Sequence, residues 1–168
     1  MSILIALAIS IGLLAVVATW VFLGPLAAMN LQIWQAFIAW ASFYHCGGKA
    51  AGLKSTAICM SFGTVVGAVS VMLAGQLGGL GALAAPVAVG IGAAVIVLAA
   101  HVQLLATIPA CVYGFASVAG LILLKGTAPA DAIVPTIASI VIGAAFGYAS
   151  EALGGKLAKP AAPAAATA

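Results

Sequence analysis

Charge is what this chain lacks most. Of 168 residues only five are basic and two acidic, 4% of the total, and all the basic ones are lysine. A soluble domain carries about a quarter charged residues, so a water-solvated fold is excluded and an integral membrane protein is expected. Lys49, Lys54, Lys125, Lys156 and Lys159 are too few and too scattered to form a nucleic-acid patch. Cysteine is scarce as well. Cys46, Cys59 and Cys111 show no CxxC spacing, and an odd count among apolar neighbours gives no disulfide framework and no metal site. The chain also lacks a Ser/His/Asp constellation, a Cys/His pair and a phosphate-binding loop. Enzymatic activity, a resident cofactor and a nucleotide-driven pump are therefore not expected.

What is present is apolar: 66% of the residues are hydrophobic, and the mean hydropathy is +1.36. A spanning helix needs about 20 apolar residues. Breaks rich in glycine, proline or polar residues divide the chain into six such stretches, at 2–23, 31–46, 55–75, 83–100, 104–124 and 132–152. The first lacks the positive start of a signal peptide, so it is expected to be a retained span. Only His101 and Gln103 interrupt the apolar run from Leu83 to Leu124, which calls for a hairpin near His101. Pro109 then kinks or starts the fifth helix. Asp131 is placed to open the sixth, where its charge suits the helix dipole. One membrane domain over 1–155 is expected, with an Ala/Pro-rich, disordered tail over 156–168. With six spans, four lysines share one side and Lys125 the other, which puts both termini in the cytoplasm by the positive-inside rule.

The chain also repeats itself. Ile38-Ala39-Trp40-Ala41-Ser42 matches Tyr113-Gly114-Phe115-Ala116-Ser117 in its small, aromatic and serine positions. Gly63, Gly67 and Ser70 recur as Gly143, Gly147 and Ser150, and Thr56 matches Thr136. The expected fold is all-α: a polytopic membrane protein of six helices in two three-helix repeats, about 1–76 and 83–155. Three is odd, so the second repeat is inverted. Inverted repeats place a substrate site or pathway at the pseudo-twofold interface near the midplane.

Spacing at i, i+4, i+7 collects Gln35/Ala39/Ser42, Ala110/Gly114/Ser117, Gly63/Gly67/Ser70 and Gly143/Gly147/Ser150 on single helix faces. Lipid supplies no hydrophobic force between helices, so small residues that allow close backbone approach serve packing. Gly63, Gly67, Gly143 and Gly147 are read that way. Gln35, Ser42, Thr56, Ser70, Ser117, Thr136 and Ser150 either bond back to their own helices or line a narrow polar path. Trp34, Phe37, Trp40 and Tyr44 lie on the other side of the second helix, facing lipid or a neighbouring subunit, or else forming an aromatic constriction. His45 and His101 stand at helix ends and Glu151 near the end of the sixth helix. These three are the proton-sensitive candidates.

Trp34-x-x-Phe37-x-x-Trp40-Ala41-Ser42-Phe43, then Gly47-Gly48 and Phe62-Gly63-x-x-x-Gly67, resembles the YcdZ-like family of small bacterial inner-membrane proteins. The resemblance covers residues 1 to about 155. It implies a multi-spanning protein of the bacterial inner membrane and carries no activity to transfer. A looser likeness in plan links the chain to urea-channel and formate-channel proteins, which are oligomers built on inverted repeats. Two functions are expected to compete. One is a channel or facilitator for a small neutral or weakly ionised solute. The other is a non-conducting scaffold or partner-binding subunit, and in either case a homo-oligomer in a lipid bilayer.

Overall fold

The computed structural model describes residues 1–158. It is all-α, with α1 at Ile3–Leu23, α2 at Ile33–His45, α3 at Lys49–Gln76, α4 at Ala84–Ala99, α5 at Ile108–Lys125 and α6 at Pro129–Leu157. All except α2 are long and apolar enough to cross a membrane, α4 only together with the 3-10 segment Gly78–Leu83 that leads into it. The expected six stretches are therefore present as helices, but the second is shorter than a span. At 13 residues it extends about 20 Å, against a hydrocarbon core of about 30 Å. Local chemistry limits it at both ends. A 3-10 turn at Ala27–Met29 and a left-handed Asn30 precede it, and Gly47 and Gly48, both at positive φ, follow it.

Two boundaries move outward from expectation. α3 begins at Lys49, where the reversal through Gly47, Gly48 and Lys49, all at positive φ, is complete and leaves Ala50–Lys54 free to be helical. α6 continues to Leu157, so Lys156 and Leu157 are helical where a disordered tail was expected to start. The rest of that tail, with Lys159, lies outside the described residues. Pro109 falls in the first turn of α5, where its missing N–H costs nothing, so it starts the helix and does not kink it. The hairpin expected near His101 is there, as an irregular segment between α4 and α5 with a short 3-10 turn at Gln103–Leu105. Cys59 Sγ donates to the Leu104 carbonyl and Cys111 Sγ to that of Leu105, so two of the three thiols pin this segment.

The helices pack as two crossed pairs with outriders. α3 lies mainly on α5 and α2 mainly on α6; α3 and α6 also meet, α1 leans on α6, and α4 on α3. Glycine makes both crossings possible. A Cβ on Gly63 would fall on the Cys111 carbonyl, and one on Gly114 on that of Met60. In the other pair a Cβ on Gly143 would fall on the Ala36 carbonyl, while Gly147 lies against the Phe43 ring. Backbone thus touches backbone. In a lipid solvent this contact supplies the dispersion that hydrophobic burial supplies in water. The packing role expected for Gly63, Gly67, Gly143 and Gly147 matches this geometry.

Charge gathers at the two ends of the bundle. Lys49 lies beside Glu151 near the end of α6, Lys54 stands one turn further along α3, and Lys156 occupies the last turn of α6. Lys125 ends α5 and Asp131 opens α6 at the other end. The sides between carry exposed Leu, Val and Ile, including Leu13, Val16, Val95, Leu123 and Val134. That is the surface of an integral membrane protein.

Gly63→Ala and Gly143→Ala force a carbonyl out of each crossing, at an overpacking cost of about 1–3 kcal/mol. Both are expected to lower the thermal midpoint of the detergent-solubilised protein. Gly90→Ala, in open space on α4, leaves it unchanged or raises it. Equal midpoints for all three variants would contradict the crossings.

Candidate functional site

The candidate polar residues do not gather in one place. Ser42 Oγ pairs with Thr56 Oγ1 at 3.2 Å between α2 and α3. Ser70 Oγ donates to its own helix at the Val66 carbonyl (2.8 Å), pressed against Gly92 of α4. Ser150 Oγ accepts from Trp40 Nε1 at 3.0 Å, pairs with Tyr44 Oη at 2.8 Å and lies 2.7 Å from the Gly147 carbonyl. These three serines are bonded inside three different seams.

That network corrects the reading of the aromatic face. Trp40 is only 4% exposed and stacks on Phe146 of α6, and Tyr44 also reaches α6 through Ser150. Indole N–H and phenol O–H groups need acceptors, and Ser150 offers one where lipid tails cannot. Phe37 alone of the four keeps the expected outward aspect, stacked on Trp40. Trp34 turns the other way and lays its ring on Gly120 of α5.

The proton-sensitive candidates separate too. Glu151 Oε2 accepts the Lys49 backbone N–H at 2.6 Å, so this carboxylate caps the start of α3 from the end of α6. His101 is exposed and bonds its own turn at the Leu98 carbonyl. His45 pairs with Tyr113 of α5 across 3.0 Å, with the rings edge to face.

Gln35, Ser117 and Thr136 do come together, where α2, α5 and α6 meet. Gln35 Nε2 donates to the Ser117 carbonyl (2.9 Å) and to Thr136 Oγ1 (3.0 Å). All three side chains are fully buried. Gln35 Oε1 and Ser117 Oγ have no hydrogen-bond partner among the described residues. Beside them α2 and α5 diverge, touching far less than α2 touches α6. The gap is a groove of about 350 Å³ lined by Ile38, Ala41 and His45 of α2 and by Tyr113 and Ala116 of α5. The His45–Tyr113 pair bounds one end of the α2/α5 seam and the Trp34–Gly120 contact the other, with the polar junction between them.

Comparison with known proteins adds a family. A profile described as a protein of unknown function, DUF1097, matches residues 8–155. The chain belongs to that family. The DUF1097 match takes in the groove, the polar junction and both crossings. No curated protein and no solved structure matches the chain.

Sequence reasoning missed four polar contacts. Ser10, fully buried in α1, donates to the Ser150 carbonyl at 2.9 Å and ties α1 to α6. Ser139 accepts the Gln32 backbone N–H at 3.0 Å, ahead of the first turn of α2. Tyr113 is the partner of His45. Ser55 pairs with Thr107 at 2.9 Å. Ser10 had a signal, as one of two hydroxyls, with Thr19, in an otherwise apolar run. The other three depend on tertiary approach and carry none.

Proposed function

We propose that the protein is a facilitator for a small neutral or weakly ionised solute, with its path along the α2/α5 seam. The observation that carries this reading is the pair of fully buried polar atoms, Gln35 Oε1 and Ser117 Oγ, unpartnered among the described residues and borne by residues within one helical turn of groove-lining Ile38 and Ala116. An unsatisfied buried group costs about 1–3 kcal/mol, and in a chain this apolar an aliphatic residue would remove that cost. A transient ligand that supplies the missing bonds gives the groups a use. The charged side chains of the described residues stand at the bundle ends, so an ion crossing the middle meets no compensating charge. That favours neutral solutes.

The internal sequence match, read as two inverted repeats, supports the location. The sequence match pairs Ala36 with Cys111 and Phe43 with Val118. The contacts agree with that pairing: Gly143 meets Ala36 as Gly63 meets Cys111, and Gly147 meets Phe43 as Gly67 meets Val118. The seam between α2 and α5 then lies on the pseudo-twofold axis, where such repeats place their pathway. The three lysines gathered near Glu151 favour a cytoplasmic location for that end and for both termini, in a bacterial inner membrane. A C-terminal alkaline phosphatase fusion is expected to be inactive and a fluorescent-protein fusion bright; the opposite pair of results reverses the orientation.

A second reading has its own observation. Ser42, Ser70 and Ser150 are each satisfied within packed seams, as a non-conducting scaffold or partner-binding subunit would have them. Liposomes separate the two. Purified protein is expected to raise urea or glycerol permeability above that of empty vesicles in stopped-flow light scattering. Ala116→Trp, at an exposed groove position, is expected to bring it back to background without unfolding the protein. Wild-type vesicles no more permeable than empty ones favour the scaffold.

A further inference from the structure

We propose that Gln35 sets the class of solute: neutral molecules that bring N–H or O–H donors, such as ureas, ammonia and small polyols, are accepted, and acceptor-only anions are rejected. This rests on the facilitator reading and names the substrate class of the same site.

The chemistry follows from how the amide is held. A glutamine side chain has two donor hydrogens and one acceptor oxygen. Both hydrogens are used, one on the Ser117 carbonyl and one on Thr136 Oγ1. Turning the amide over would set its oxygen against the Ser117 carbonyl oxygen, acceptor against acceptor, so the network fixes the orientation. What is left over is therefore Oε1, an acceptor that can receive two hydrogen bonds, together with the Ser117 hydroxyl, which can give one and take others; both are without a partner among the described residues. A molecule with donor hydrogens satisfies Oε1. Nitrate or formate ion brings only lone pairs: the Ser117 hydroxyl can meet one of them, while Oε1 stays unsatisfied and repels the charge. A cation would find acceptors, but no carboxylate lies beside the site, since Asp131 is in the first turn of α6 and Glu151 caps the start of α3.

Comparison of the two halves shows that Gln35 creates this site. In the first half Ser42 Oγ and Thr56 Oγ1 pair directly at 3.2 Å. The matching pair in the second half is Ser117 and Thr136. There Thr136 Oγ1 accepts from the Gln35 amide, and Ser117 Oγ has no partner among the described residues. The position that matches Gln35 in the other half is Ala110, whose methyl group can form no hydrogen bond. Gln35 thus breaks the likeness of the halves at one point, and both unpaired atoms are found at that point.

The test uses the full chain in proteoliposomes, with urea and glycerol as donor solutes and formate and nitrate as acceptor-only ions. Gln35→Met keeps the length of the side chain and removes its hydrogen bonding. Ser117→Ala removes a hydroxyl that has no protein partner, so its fold is expected to persist. Wild type is expected to pass urea and glycerol and neither ion, with urea flux falling at least tenfold in Gln35→Met and measurably in Ser117→Ala. Passage of formate or nitrate without urea overturns the donor class and leaves conduction standing. Undiminished urea flux in Ser117→Ala and in folded Gln35→Met overturns the role of Gln35. No flux of any solute overturns the facilitator reading itself.

Discussion

Contact of backbone with backbone at the two glycine crossings is the constraint on which the rest of the structure depends. In water a helix pair this apolar would be held by burial of its side chains. In lipid the tails solvate leucine as well as another leucine does, and only close approach distinguishes helix from solvent. Gly63 and Gly114 bring α3 onto α5, and Gly143 brings α2 onto α6. Several of the buried polar contacts follow from these crossings. Trp40 reaches Ser150 because α2 lies flat on α6. Gln35 reaches both Ser117 and Thr136 because the two pairs meet there.

The same constraint explains the groove. α2 is bound to α6 and α5 to α3, so neither is free to close on the other, and they diverge around Ile38, Ala41, Tyr113 and Ala116. Aromatic contacts bound the seam at both ends. A polar junction within it is left with two atoms unpaired among the described residues, whereas Ser42, Ser70 and Ser150 are each bonded.

Much of this was legible in the sequence, for physical reasons. Long apolar runs broken by Gly-Pro or Gly-Gly admit few structures other than membrane helices, and small residues at i, i+4 mark the faces that touch. Gln35 stood out because an amide within a span must find partners. The direction of the aromatic face was not legible. Helix periodicity places Trp40 and Tyr44 on one side but does not say whether lipid or α6 lies there, and their partner Ser150 is remote in sequence. The shortness of α2 was hidden as well, since Leu31 and Gln32 read as apolar-run residues, and only the left-handed Asn30 and the Ser139 bond to Gln32 show where the helix begins. Glu151 looked like a titrating group because it was the only acid within a span, and the backbone N–H it caps belongs to a helix distant in sequence.

The most direct test of the central claim, that the Gln35–Ser117 junction is a ligand site, is a high-resolution cryo-electron map of the protein in lipid nanodiscs, read at that junction. The account predicts non-protein density about 3 Å from both Gln35 Oε1 and Ser117 Oγ, at hydrogen-bonding distance. The contrary result is a dry junction, with the Ser117 hydroxyl turned back onto the Tyr113 carbonyl and Oε1 closed off by a donor from the protein itself.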